Sequence, residues 1–149
     1  VEYIDLIDDE LVLITPSDIN IESSDGLINL EDLTNFNFIM RKEGSGTQNL
    51  IESKLKEHKF SINQLNTIAY IASNEAIKEM VRLGLGVSFV SYTSVIDYIT
   101  LNKVKFFRLK DISFNRKFYF IYSKKKTFTP LENQFLNCVC EYFNVNTKR

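Results

Sequence analysis

Arg41-Lys42-Glu43-Gly44-Ser45-Gly46-Thr47 is the stretch of this sequence best equipped for chemistry. Its glycines allow a tight turn that presents successive backbone N–H groups outward. A helix starting there adds unsatisfied N–H donors and the positive end of its dipole. Ser45 and Thr47 add hydroxyl donors. Together these groups make a nest for an anion such as sulfate, phosphate or a carboxylate. Gly44, Ser45, Gly46 and Thr47 are therefore candidate ligand-binding residues. The same residues also fit a plain strand-to-helix turn in which Ser45 or Thr47 merely caps, and the local sequence leaves both readings open. The G-x-x-x-x-G-K-[ST] spacing of a P-loop and the third glycine of a dinucleotide fingerprint are both missing, and no cofactor is expected.

Ala72-Ser73-Asn74-Glu75-Ala76 carries the second signal. Again a strand delivers polar capping residues to a helix start. Ligands in open α/β sheets bind beyond the carboxyl ends of the strands, so both helix starts are expected to face one crevice. Ser73 and Asn74 join the candidates, with plain capping as the alternative. No catalytic constellation accompanies them. His58 falls at the end of a polar helix with no nucleophile beside it, and no two acids are placed for general acid–base work. Asp8, Asp9 and Glu10 read as a solvated strand entry, with metal binding as the alternative. Cys138 and Cys140 sit two apart in a helix, where side chains diverge. They read as ordinary helix residues of a reducing cytosol, with no disulfide and no metal.

These groups need a scaffold, and the pattern predicts one. Leu11 to Ile14 is an unbroken apolar run ending at Thr15 and Pro16, as a strand buried on both faces requires. Asn29 is expected to cap a short helix over Leu30 to Leu33. A strand over Phe36 to Met40 leads into the glycine loop, and an amphipathic helix over Gln48 to His58 follows. A strand over Thr67 to Ala72 leads to a helix over Glu75 to Leu83, with Ile77, Met80 and Val81 on its buried face. Gly84 stops that helix. Val87 to Val90, Val104 to Leu109 and Phe118 to Tyr122 read as strands, and Ser91 is expected to cap a helix through Ile99. Thr129-Pro130-Leu131-Glu132 is a capping box with proline at the first helical position. The last helix is expected to turn Leu131, Phe135, Val139 and Tyr142 inward. Strand–helix alternation of this kind predicts an α/β fold with a mainly parallel sheet flanked by helices.

Bulk properties set limits. The 149 residues are 44% hydrophobic and 25% charged, enough for one compact domain with a real core. The net charge is −1, from 18 basic and 19 acidic side chains. A domain that holds DNA by itself needs a basic excess. Lys124 to Lys126 is the only dense basic run and reads as a solvated loop. No segment approaches a membrane span, and the acidic opening Val1 to Glu10 is not expected to be a signal peptide. A loose tail is expected only over Asn144 to Arg149. The chain opens at Val1 with a strand pattern already under way, as an excised piece of a longer protein would; a processed N-terminus is the alternative.

In order and in motif the chain resembles the effector-binding domain of LysR-type transcription regulators. Asp9-Glu10-Leu11-Val12-Leu13-Ile14 resembles the strand entering that family's second subdomain. Leu30-Glu31-Asp32-Leu33 is similar to its short helix, and Arg41 to Thr47 to its effector loop. The stretch from Ser73 to Val87, with Gly84-Leu85-Gly86 before a strand, is the most specific match. Phe118 to Tyr122 and the final helix fall where the family has its return strand and last helix. Pro16-Ser17-Asp18-Ile19 departs from the family's Pro-x-x-His-Pro stretch, and nothing is carried over there.

The resemblance implies a fold like type II periplasmic binding proteins, with a ligand held between two α/β subdomains. Subdomain II would be complete over residues 11–118. Residues 1–10 and 119–149 would be crossover segments and a partial subdomain I. Gly44, Ser45, Gly46, Thr47, Ser73 and Asn74 would contact a small anionic effector, a sulfate-like oxyanion or a carboxylate metabolite. DNA would be bound only through a helix-turn-helix domain outside this sequence, in a cytoplasmic protein. A sheet edge and the apolar side of the last helix around Phe135 and Val139 would lie open, predicting a dimer or higher oligomer. Two alternatives stand beside this one. A solute-binding protein for an oxyanion such as phosphate uses a similar Arg…Gly-Ser-Gly-Thr turn. A small enzyme on this fold needs a clustered acid, base or nucleophile, which the sequence lacks.

Overall fold

The computed structural model describes residues 1–23 and 25–146. They divide into two units, Glu10–Phe114 and the pair Val1–Asp9 with Asn115–Arg149. One strand, β1 (Glu2–Pro16), contributes to both.

In the larger unit the apolar run Leu11 to Ile14 is at most 2% exposed. Strand alternation sends Leu11 and Leu13 into a core with Phe38, Met40, Phe89 and Phe107. It sends Val12 and Ile14 into a second core with Ile39, Ile77, Val81 and Val90. Apolar side chains at every position are what a strand covered on both faces needs. β1 is longer than the expected Leu11–Thr15, because residues 2–8 are covered less completely and carry no continuous apolar run.

β1 runs antiparallel to β5 (Ser88–Ser91), with Leu13 opposite Phe89, and to β6 (Val104–Leu109), with Leu13 opposite Phe107. The parallel pairings lie to either side of it. β2 (Leu27–Ile28) runs parallel to β6. β3 (Asn37–Arg41) and β4 (Asn66–Ile71) form a parallel pair that ends with Arg41 opposite Ile71. A parallel bridge between Phe38 and Val87 sets β3 beside β5. There the Ile39 N–H donates to Val87 O and the Val87 N–H to Asn37 O, each at 2.9 Å. A Cβ on Gly86 would stand 2.6 Å from Asn37 O, so only glycine admits this approach.

Helices cover both faces, as the alternation predicted. α1 (Gly46–Glu57) packs Ile51 and Leu55 into the first core. α2 (Asn74–Arg82) and α3 (Tyr92–Thr100) pack Ile77, Val81 and Val95 into the second. All three end in one hydrogen-bonded turn, in which Phe60, Leu85 and Lys103 N–H groups reach back to Leu55, Met80 and Tyr98 carbonyls. The residues that turn left-handed there are Lys59, Gly84 and Asn102. Two expected caps are not made. Leu30–Asn35 is a 3-10 turn, and the Asn29 amide donates to the Asp32 carboxylate instead of capping. Ser91 places no side-chain cap on α3; its carbonyl accepts from the Ser94 hydroxyl.

In the smaller unit β1 pairs with β7 (Asn115–Tyr122), and α4 (Pro130–Tyr142) follows. The capping box at Thr129 and Glu132 forms as expected. The inward turn expected of Leu131, Phe135 and Tyr142 on α4 is not made, whereas the open side expected around Phe135 is found. Leu136 and Cys140 are buried, whereas Leu131, Phe135 and Tyr142 are exposed. The acidic run is a solvated strand entry only in part, since Asp8 stays exposed. The Asp9 side chain is fully buried and pairs with Arg116 at 2.7 Å, and Asp8 lies 3.4 Å from Lys117. In the larger unit, Glu10 pairs with Arg108. The loose tail expected over Asn144 to Arg149 falls partly on residues 147–149, outside the described residues. No helix of the described residues is long and apolar enough to cross a membrane.

Candidate functional site

β3 and β4 run parallel side by side, so their carboxyl ends open on one edge of the unit. The Lys42 N–H extends their pairing by donating to Ile71 O at 3.1 Å. From this edge the chain enters α1 through Lys42 to Ser45, and α2 through Ala72 and Ser73. Both candidate loops are thus set together by one piece of register.

The first loop turns on Gly44, whose φ of +84° lies in the left-handed region that glycine tolerates. Ser45 caps α1. Its Oγ accepts the Gln48 N–H at 3.1 Å, and its carbonyl accepts the Asn49 N–H at 3.0 Å. Gly46 is the first helical residue, and its N–H has no acceptor among the described residues. A Cβ built on Gly46 meets nothing within 4 Å. The backbone there is open to an approaching group. Thr47 is buried beside it.

The second loop is built alike. The Ser73 Oγ accepts the Ala76 N–H at 3.2 Å, so Ser73 and not Asn74 is the cap. Asn74 does other work: its side-chain carbonyl accepts from Arg41 Nη1 at 2.5 Å. Capping leaves Ser45 and Ser73 each with a hydroxyl hydrogen to donate. The first turns of two helices, each with a positive dipole end, lie at the ends of neighbouring strands. This arrangement can hold an oxyanion or carboxylate through N–H and O–H donors.

Arg41 opens the glycine-rich motif but is not among the candidate residues read from the sequence. It closes β3 after Phe38, Ile39 and Met40, all at most 1% exposed. A charge ending a fully buried run was the available signal. Its Nε is buried and has no hydrogen-bond partner among the described residues. Gln48 Oε1 is likewise buried and unmatched, on the α1 face that carries Ile51 and Leu55. His58 and Cys138 are exposed and Cys140 is buried outside this edge, and the site reading uses none of them. No group of three His, Cys, Asp or Glu among the described residues is placed to hold a metal. Two concavities, about 580 Å³ beside Asn137 and Cys140 and about 390 Å³ beside Lys56 and Phe60, contain none of the candidate residues.

A family model described as LysR substrate binding domain matches residues 1–144. The chain is 35% identical over 113 residues to a probable RuBisCO transcriptional regulator of Trieres chinensis, covering 75% of this chain and 37% of the relative. It is 33% identical over 111 residues to the HTH-type transcriptional activator CmpR of Synechocystis, covering 74% of this chain and 35% of the relative. The chain thus spans little more than a third of these curated relatives. Its fold matches the Synechocystis CcmR regulatory domain in complex with 2-PG at a TM-score of 0.82 and 22% identity, covering 95% of this chain and 66% of that one. It also matches the effector binding domain of QuiR in complex with shikimate at a TM-score of 0.78 and 21% identity, over 96% and 65% of the two chains. These neighbours are regulatory domains with a periplasmic-binding-protein-like fold.

Proposed function

Because this chain belongs to the LysR substrate-binding domain family, we propose that it senses a small anion, sulfate-like or carboxylate, on the edge formed by Gly44, Ser45, Gly46, Thr47, Ser73 and Asn74. The observation that carries this reading is the pair of capped helix starts set side by side by the β3–β4 register. In the intact cytoplasmic regulator, occupancy of this edge alters DNA binding by a helix-turn-helix domain. The ligand does so only as far as it binds one conformation of the regulator better than the other. Relatives that are transcriptional regulators support the regulatory part of the reading. Self-association belongs to the same proposal, since exposed Leu131, Phe135 and Tyr142 offer an apolar surface on α4.

A thermal-shift screen with sulfate, sulfite, phosphate and small carboxylates at constant ionic strength tests it. A ligand at a hundredfold excess over its Kd stabilises the native state by about 2.7 kcal/mol. A selective shift that Thr47→Ala or Ser73→Ala abolishes is the expected result. Stabilisation equal for every anion and every variant removes the proposed site. Light scattering at high protein concentration tests the second part, and a clean monomer refutes it.

A further inference from the structure

Resting on that anion-binding reading, we propose that Arg41 is the charge the ligand meets, taking a carboxylate or phosphate group side-on through Nε and Nη2, and that Asn74 positions this guanidinium instead of contacting the ligand. A guanidinium has two usable edges, and the side-on edge pairs the Nε and Nη2 hydrogens in a fork matched to two oxygens of one anion. In this protein Nη1, on the other edge, already donates to Asn74 Oδ1 at 2.5 Å. Nε is buried and donates to nothing among the described residues. No carboxylate of the described residues pairs with Arg41 as Glu10 does with Arg108 or Asp9 with Arg116. The guanidinium is therefore held on one edge and unmet on the other.

A buried N–H without an acceptor is unfavourable, and proteins leave few of them. An anion oxygen at Nε satisfies it and neutralises the charge together. Arg41 also ends β3 at the register position opposite Ile71, at the root of both loops. A ligand seated on the helix starts thus meets a full positive charge as well as dipoles. Asn74 is the first residue of α2, so its side chain ties the guanidinium to the second helix start. A neutral partner holds the arginine without cancelling its charge, as an aspartate would.

The test is an NMR titration of the whole 149-residue chain with arginine side chains labelled at Nε. Acetate and shikimate probe the carboxylate arm; inorganic phosphate probes the phosphate arm. The expected result is a saturable shift of the Arg41 Nε–H resonance by one arm, matching shifts of the Gly46 and Asn74 backbone amides. Arg41→Lys keeps the charge but not the fork, and is expected to weaken that probe about tenfold or more. Asn74→Asp is expected to weaken it at least as much, because its carboxylate occupies the guanidinium. Asn74→Ala is expected to move the Arg41 Nε–H resonance before any probe is added. Amide shifts at both helix starts with an unmoved Arg41 Nε–H, and unchanged affinity in Arg41→Lys, overturn the inference and leave the anion site standing. No shift at any of these groups with any probe defeats both.

Discussion

Replacing Gly46 with alanine separates the two roles that the glycine loop can play. Gly46 opens α1 outside the left-handed region, and a methyl group there meets no heavy atom within 4 Å. The substitution therefore costs nothing sterically and removes backbone freedom from the unfolded chain. Glycine-to-alanine exchange within a helix is worth roughly 0.5–1 kcal/mol, with the first turn at the low end. For a chain of this size that raises Tm by about 1–3 °C. If the proposed anion sits on the Gly46 N–H, the methyl group on the adjoining Cα crowds it. Losing one charge-assisted hydrogen bond costs about 1.5–3 kcal/mol, or roughly ten- to hundredfold in Kd. Urea unfolding with and without the anion selected by the thermal screen reads both quantities. The expected variant is at least as stable as the parent and binds the anion tenfold more weakly or worse. Parent-like affinity in a stable Gly46→Ala protein refutes the placement of the ligand at this N–H. Gly44→Ala is the contrasting control, because its φ of +84° makes alanine strained by about 1–2 kcal/mol with or without ligand.

Three further outcomes follow from the packing. Gly86→Ala pushes a Cβ against Asn37 O, 2.6 Å away, at the point where β3 joins β5; equilibrium unfolding is expected to show a loss of about 2 kcal/mol or more, in the range of overpacking, and a near-neutral value contradicts the β3–β5 junction. Asp9→Ala leaves Arg116 without its fully buried partner and is expected to cost about 3 kcal/mol, whereas Arg108→Ala, in a pair half open to water, costs within about 1 kcal/mol in the same assay. The Lys126 ammonium and the Thr129 N–H hold the Glu132 carboxyl at about 2, below its usual 4.5; its support of the α4 start is therefore complete above pH 4.5 and lost as pH falls through about 2. Amide exchange in the first turn of α4 follows that loss, and Glu132→Gln is expected to flatten the pH dependence.

Much of the fold was legible because local rules and tertiary needs agree in the larger unit. Two polar caps and a glycine stop marked α1 and α2 to within a few residues, and an unbroken apolar run marked the buried end of β1 but not its start at Glu2. Legibility failed where the deciding partner is remote in sequence. Asp9 looks like one of three solvated acids until Arg116, 107 positions away, is seen to bury with it. The phase of α4 failed for another reason: Leu131, Phe135 and Tyr142 are large and apolar and share a stripe, yet they are exposed, while the smaller Cys140 is buried with Leu136. Hydrophobic size predicts which stripe can be buried, not which stripe has something to pack on. A covering partner, whether more of the same polypeptide or a second copy, reverses that exposure, which is why association is the natural test of this helix.

The site was legible in a narrower sense. Glycine and hydroxyl residues at a strand-to-helix junction announce donors, and both Ser45 and Ser73 do cap as their types require. That result alone does not choose between a turn and an anion nest, since capping is common to both. The choice depends on what capping leaves over. Here it leaves a Gly46 N–H without an acceptor among the described residues, on an exposed residue, and a guanidinium fastened by one edge only. A plain turn has no need of Arg41 at all: a strand ending against two helices is served better by an apolar residue or a fully paired ion. An arginine held by a neutral amide, with its Nε unmet, keeps a full charge, as the proposed anion site requires. Arg41, just before the glycines, thus distinguishes the proposed anion site from a plain turn more sharply than the glycine-rich motif does.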